Sequence, residues 1–224
     1  VVSIIGDYSL DKIKELAQTY FGDFTFGIEN ERRECKLIEN KDYFVTTDPS
    51  LNTTTLVVNY AAPDTDSDKR FATSYFSNNL GGSMLSRLNQ SLREEHKMVY
   101  SVNSSYTRQY SMGMLEIYTS MEEKNLEKAI ELIKSELKSF VNKGLTDEEY
   151  LRSKKQIESN FVFTMEGIYY QRAEFFYLKK KMLGVKKKEV RDIAEEILAG
   201  APKIGVHTPK YDKEKIINFW ESQH

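Results

Sequence analysis

Apolar and polar positions along this chain change period several times, and each change marks an element. VVSIIG is a short β-branched run closed by glycine and predicts a strand. Leu10, Ile13, Leu16, Ala17 and Tyr20 then recur at helical spacing, with Asp7 and Ser9 as candidate caps and Gly22 as the stop. The stretch ENERRECKLIENKD is polar and dense in charge, and reads as a linker or exposed edge. YFVTTDPS and NTTTLVVNYAAP are rich in Thr, Val and Tyr and predict strands. Leu56, Val58 and Tyr60 alternate with Val57 and Asn59, so one face is expected to be the more buried. Asp68 to Leu80 predicts a helix with Phe71, Ser74, Tyr75 and Asn78 on one side. Gly81-Gly82 breaks it, and a second helix-like run carries Leu85, Leu88 and Leu92.

From Tyr100, the segment SVNSSYTRQYSMGMLEIYTSM predicts two antiparallel strands joined between Gln109 and Gly113. Glu122 or Asn125 opens an amphipathic helix whose apolar positions are Leu126, Ile130, Ile133, Leu137 and Val141, with Gly144 as its end. Thr146 and Glu149 have capping-box spacing for the next helix. That helix is expected to run to about Met182, with a bend at Gly167. VKKKEVRDIAEEILAG predicts another helix, KIGVHTP a last strand and YDKEKIINFW a last helix. Clustered strands and long helical runs predict an α+β fold: a mainly antiparallel sheet covered by helices on one face.

IIGDYSLDKI near the start echoes IGVHTPKYDKEKI near the end, both strand, turn, helix. The echo suggests the tail of one unit, residues 1–34 with a linker, followed by a whole second unit, residues 35–224. A chain of 224 residues is long enough for this and buries a core. It opens on Val and directly on a strand-like run, and reads as a fragment.

Net charge is −2, so there is no broad attraction to nucleic acid or anionic lipid. Neither nucleic acid nor membrane is an expected partner. No apolar run reaches membrane-spanning length. The single cysteine, Cys35, excludes an intrachain disulfide and suits a reducing compartment as well as a cysteine-poor secreted protein; a cytoplasmic location is the expectation.

Catalytic constellations are sparse. The three histidines are His96, His207 and His224, and no two share a helix at metal-binding spacing. LREEH places Glu95 and His96 suitably, but Leu92 occupies the first position and cannot bind metal. Cys35 sits in a charged stretch with nothing to depress its pKa, and no P-loop, G-x-G-x-x-G or G-x-S-x-G is present. Lys179 to Lys181 and Lys186 to Lys188 read as solvated helix faces. Arg93 and Tyr100 stand apart. They lie seven positions apart, at a helix end and a strand start, where a guanidinium and a phenol could both bond peptide carbonyls. On residue types alone, Arg93 could equally pair with Glu94 or Glu95, and Tyr100 could pack in the sheet.

The pattern G-G-x-x-x-S-R-L-x-x-x-L-R-E-x-x-x-x-x-Y-S-V resembles the C-terminal, non-catalytic half of the M16 metallopeptidases, which include insulin-degrading enzyme, pitrilysin and the mitochondrial processing peptidase. IIGDYSLDKIKELAQTYFGDF and GLTDEEYLRSKKQI resemble flanking segments of that family. The resemblance covers most of the chain. It implies the M16-type fold, with zinc carried on an inverted H-x-x-E-H motif in the other half and no metal bound here. It implies that this half closes over the zinc-bearing half, on the same chain or as a hetero- or homodimeric partner, and helps to bind unfolded peptides. Alone it is expected to be inactive. Residue by residue, Tyr100 would donate its hydroxyl to the scissile carbonyl, and Arg93 would bind a nearby substrate carbonyl. A scaffold subunit that holds a partner without cleavage is the alternative. Two departures stand out: a glycine-rich loop found in regulatory processing-peptidase subunits is reduced to Gly81-Gly82, and Lys97-Met98-Val99 replaces the small or apolar pair before the tyrosine.

Overall fold

The computed structural model describes residues 4, 6–25, 27, 42–165 and 173–222. One five-stranded sheet organises them. Its strands are β1 (Asp42–Thr47), β2 (Thr54–Ala62), β3 (Val99–Gln109), β4 (Met112–Met121) and β5 (Lys203–Thr208), in the order β1-β5-β2-β4-β3. All neighbours are antiparallel except β1 and β5, which are parallel. The final strand therefore enters the sheet between the first two, a placement that no local pattern announces.

The alternation in β2 sorts the two faces. Thr54, Leu56, Val58 and Tyr60 are buried, and so are their β4 partners Met121, Thr119, Ile117 and Leu115. Over this face lie α2 (Arg70–Leu80), α3 (Leu126–Lys143) and α6 (Lys187–Leu198), joined to the strands in one apolar core. Phe76 of α2 meets Phe140 of α3 edge to face at 4.6 Å, a favoured geometry for aromatic quadrupoles. The other face keeps Phe44 and Tyr118 exposed, in one row across the strands with Gly205, Val57 and Asn103. The expected fold, α+β with one helix-covered face, is the observed one.

Most elements fall where the pattern placed them. α3 ends at Gly144, whose φ of +64° suits glycine. The β3–β4 turn is tight, with Ser111 at φ +58°. In the capping box, the Thr146 amide donates to Glu149 Oε2 and the Glu149 amide to Thr146 Oγ1. The stretch from Thr146 to Met182, expected as one helix bent at Gly167, does not run as a single straight helix. α4 (Asp147–Met165) and α5 (Ala173–Gly184) lie side by side. The Tyr150 hydroxyl, in the first turn of α4, donates to the Val185 carbonyl just beyond α5 at 2.6 Å. Leu178 and Met182 pack against the core, which a single straight helix would carry away from it. Gly167 lies outside the described residues.

α1 (Leu10–Phe21) is N-capped by Ser9, which accepts from the Lys12 amide, but no residue of α1 is buried. α7 (Lys213–Ser222) instead buries Ile216 and Trp220. Most of VVSIIG and of the linker stretch, including Cys35, lies outside the described residues.

Candidate functional site

The segment after Gly81-Gly82 folds as a π-helix, Asn89–Glu95, rather than an ordinary helix from Leu85. Leu88 and Leu92 are fully buried, but Leu85 precedes the helix and is exposed. The wide turn is visible where the His96 amide donates to Ser91 O, five residues back, at 3.1 Å. Single π-helical turns recur at functional sites because they re-aim side chains that a regular helix would stack.

Three devices hold this segment. Gly81 brings the end of α2 against β3 so closely that a Cβ there would sit 2.6 Å from the Ser104 amide nitrogen. The buried Asn89 amide donates to Ser83 O at 3.0 Å, Ser86 Oγ at 3.1 Å and Val102 O at 3.3 Å, tying the glycine turn to β3. Arg87 makes a two-point bond to the Glu149 carboxylate and donates to Gly144 O at 2.6 Å, while its guanidinium lies 4.4 Å over the Phe140 ring.

Both sequence-selected residues emerge from this frame. Arg93 lies in the last turn of the π-helix and is exposed. It forms no hydrogen bond or ion pair among the described residues, so the expected alternative of pairing with Glu94 or Glu95 is not realised. Tyr100 lies just inside β3 and is 57% exposed. It is not packed in the sheet either. Val99 pairs with Met121 and Ser101 with Ser120, which are consecutive on β4, so Tyr100 is the extra residue of a β-bulge. Bulges bend a strand and redirect one side chain. The turn between the two residues is fixed at both ends. Lys97 takes φ +51°, and the Asn125 amide donates to Met98 O at 2.8 Å. The Tyr100 hydroxyl donates to Glu122 Oε1 at 3.5 Å, and Lys124 Nζ holds Glu122 Oε2 at 2.7 Å.

The histidines do not converge. His96 Nδ1 engages Ser91 O at 2.8 Å, and His207 Nδ1 engages Thr46 Oγ1 at 2.6 Å, on different elements. His224 lies outside the described residues. Among the described residues, no three His, Cys, Asp or Glu side chains are grouped to hold a metal ion. The lysine runs are interleaved with acids: Lys181 pairs with Asp68 at 2.8 Å and Lys187 with Asp147 at 2.7 Å. A cleft of about 590 Å³ between α2, α5 and α6, floored by Phe71, Ala72 and Ile193, is lined by neither Arg93 nor Tyr100.

Sequence reasoning missed three residues of this frame. Arg87 lay inside the quoted motif, Glu149 was read only as a cap, and Glu122 only as a helix opener. What joins Arg87 to Glu149 is a contact across 62 positions, and nothing in either neighbourhood signals it.

Residues 1–157 match the sequence profile of the peptidase M16 inactive domain. A Rickettsia felis protein named an uncharacterised zinc protease is 28% identical over 174 residues, 77% of this chain and 41% of that protein. The Bacillus subtilis zinc protease YmxG, likewise named as uncharacterised, is 36% identical over 90 residues, 40% of this chain and 22% of that one. The crystal structure of a peptidase M16 inactive domain from Pseudomonas fluorescens superposes with a TM-score of 0.78 at 18% identity, covering 93% of this chain and 53% of that chain. A protease from Helicobacter pylori gives 0.77 at 14% identity, covering 92% and 54%. These two likenesses carry the fold. The chain spans about two fifths of the length of the Rickettsia relative. The profile match across most of the chain, on a fold shared with solved M16 proteins, places this chain in the peptidase M16 family as an inactive domain.

Proposed function

We propose that this chain is the substrate-binding half of an M16-type zinc endopeptidase, closing over a zinc-bearing half and orienting peptides for hydrolysis. The observation that carries the reading is the pairing of an unengaged guanidinium, Arg93, with a phenol set out on a bulge, Tyr100, at the two ends of one anchored turn. Each can bond a carbonyl of an extended peptide. Tyr100 donates its hydroxyl to the scissile carbonyl oxygen, where negative charge grows during attack. Such a donor stabilises the transition state more than the ground state. Arg93 fixes the peptide register at a neighbouring carbonyl. Zinc belongs to the partner half, on the same parent chain or a separate subunit.

The unit boundary near residue 34 belongs to the same reading. A gap-free offset of 203 aligns Tyr8 with Tyr211, Lys12 with Lys215 and Ile13 with Ile216. In the second copy the Tyr211 hydroxyl donates to Glu127, Lys215 faces the same carboxylate, and Ile216 is buried. On this reading α1, none of whose residues is buried here, carries on its Ile13 side the surface that a preceding unit would cover.

The test is peptidase activity on an unstructured peptide, for this chain alone and joined to its zinc-bearing half. The reading expects silence alone and cleavage together. It also expects a loss on the order of a hundredfold for Tyr100→Phe. Full activity in both Tyr100→Phe and Arg93→Ala would remove the mechanism and leave a partner-holding scaffold.

A further inference from the structure

We propose that Glu122 is a positioning residue for the Tyr100 hydroxyl, itself held in place by Lys124; this rests on the substrate-binding role of Tyr100. A tyrosine on a bulge has no cross-strand neighbour to pack its ring, and Tyr100 is largely solvent-exposed. Its orientation must come from elsewhere. The β4–α3 turn supplies it at two points. Asn125 fixes the backbone before Tyr100 through Met98 O, and Glu122 takes the hydroxyl at the ring's far end.

Glu122 is suited to this. It directly follows Met121, the β4 partner of Val99, so it sits next to the residue pair that borders the bulge. Its two carboxylate oxygens divide the work: Oε2 receives Lys124 Nζ at 2.7 Å, and Oε1 is left for Tyr100. The Lys124 hydrogen bond and charge hold the Glu122 carboxyl below its ordinary value, so it stays an acceptor at neutral pH.

A phenol has one proton to donate. In the resting chain it goes to Glu122, and at 3.5 Å that bond is at the long limit and is readily exchanged. An arriving carbonyl takes over the same proton from a ring already aimed. Removing Glu122 leaves substrate affinity intact but frees the ring. The loss therefore falls on the transition state, in kcat and not in KM.

The experiment uses the full protease, with this chain joined to its zinc-bearing half, and measures kcat and KM separately. Glu122→Ala is expected to lower kcat roughly five- to tenfold with KM unchanged. Glu122→Gln keeps an acceptor oxygen and is expected to retain most of the rate. In a Tyr100→Phe background, Glu122→Ala is expected to change nothing further, because the two act through one hydroxyl. Thermal unfolding of each variant separates these effects from misfolding, and for an exposed pair the midpoints are expected to stay together. Three outcomes overturn the proposal. Full kcat in Glu122→Ala beside an impaired Tyr100→Phe removes Glu122 and leaves the role of Tyr100 standing. An undiminished Glu122→Ala effect in the Tyr100→Phe background shows that it acts through another group. Full rate in Tyr100→Phe removes the underlying reading and the proposal together.

Discussion

Arg87 and Glu149 form a two-point ion pair, Nε to Oε1 at 2.7 Å and Nη2 to Oε2 at 2.8 Å, with only 13% of each side chain exposed. It joins the segment carrying Arg93 to the first turn of α4. A planar guanidinium matches a carboxylate in this fork; an ammonium cannot. Arg87→Ala leaves a largely buried carboxylate without its cation and is expected to cost about 3 kcal/mol in urea unfolding. Arg87→Lys is expected to recover only part of this. If Arg87→Ala unfolds at the wild-type urea midpoint, the pair does not anchor the segment.

The same pair sets an acid limit. Burial works against ionised Glu149, but the Arg87 and Thr146 hydrogen bonds outweigh it and hold the carboxyl below its ordinary 4.5. A carboxyl lowered in the folded state stabilises above its unfolded value and loses that contribution as pH falls through the folded one. Stability is therefore expected to drop as pH falls below about 4.5, and to drop less steeply in Glu149→Gln. Identical slopes in urea series at pH 6 and pH 3 would remove Glu149 as the source.

Two glycines are expected to respond to alanine in opposite directions. A Cβ at Gly81 would meet Ser104 N at 2.6 Å and Asn103 C at 3.0 Å, both backbone. Gly81→Ala must push α2 off β3 and is expected to cost about 1–3 kcal/mol. A Cβ at Gly184 meets nothing within 4 Å, and this residue closes α5. Gly184→Ala is expected to stabilise by about 0.4–1 kcal/mol, because it restricts the unfolded chain. Melting temperatures of the two variants, moving apart from wild type, check both.

These residues mark how far the sequence could be read. Wherever burial imposes a period, the pattern carries the element. The alternation in β2, the stripe of α3 and the Thr146–Glu149 box all fold as their spacing implies. Arg93 and Tyr100 were singled out because a motif surrounds them. The side-by-side placement of α4 and α5 was legible only as a bend at Gly167, because both stretches have helical composition and the packing of Leu178 and Met182 on the core is a long-range effect. The entry of β5 between β1 and β2, the π-turn, the bulge and the Glu122 contact are long-range or register effects. A period-2 or period-3.6 pattern does not encode which strand lies beside which.

Alkaline pH is expected to weaken the fold through its tyrosines. Burial pushes the Tyr60 phenol up to about 12, and burial followed by Tyr150 pushes Tyr75 up further. A raised phenol favours the neutral form in the folded state. Its contribution is complete below the ordinary value near 10 and is lost as pH rises through the folded value. For Tyr60 the shift corresponds to roughly 3 kcal/mol. Tyr60→Phe removes the ionisable group while keeping the ring, and is expected to move the alkaline unfolding midpoint upward. Absorbance at the phenolate band, followed with circular dichroism, checks this: Tyr60 ionising near pH 10 in a chain that stays folded would contradict it.

The bulge offers a way to separate fold from function at a single position. Val99 faces Met121 and Ser101 faces Ser120, with Tyr100 between them unpaired. Deleting Tyr100 outright would let Val99 and Ser101 continue the ladder against those same partners, Val99 on the buried side and Ser101 on the exposed one. Most deletions within a strand flip every later side chain to the wrong face. This one is expected to remove an irregularity instead, and to leave Val102 and Ser104 in the core where they are buried now. The deletion variant is expected to melt within a few degrees of wild type, whereas deleting Asn103 from the regular part of β3 is expected to unfold it. On the proposed function, the Tyr100 deletion joined to a zinc-bearing half is expected to be at least as impaired as Tyr100→Phe. A stable deletion variant with full peptidase activity would show that the bulge presents nothing to the substrate. An unfolded one would show that the extra residue, and the twist it introduces, is needed to bring β3 under the π-helical turn.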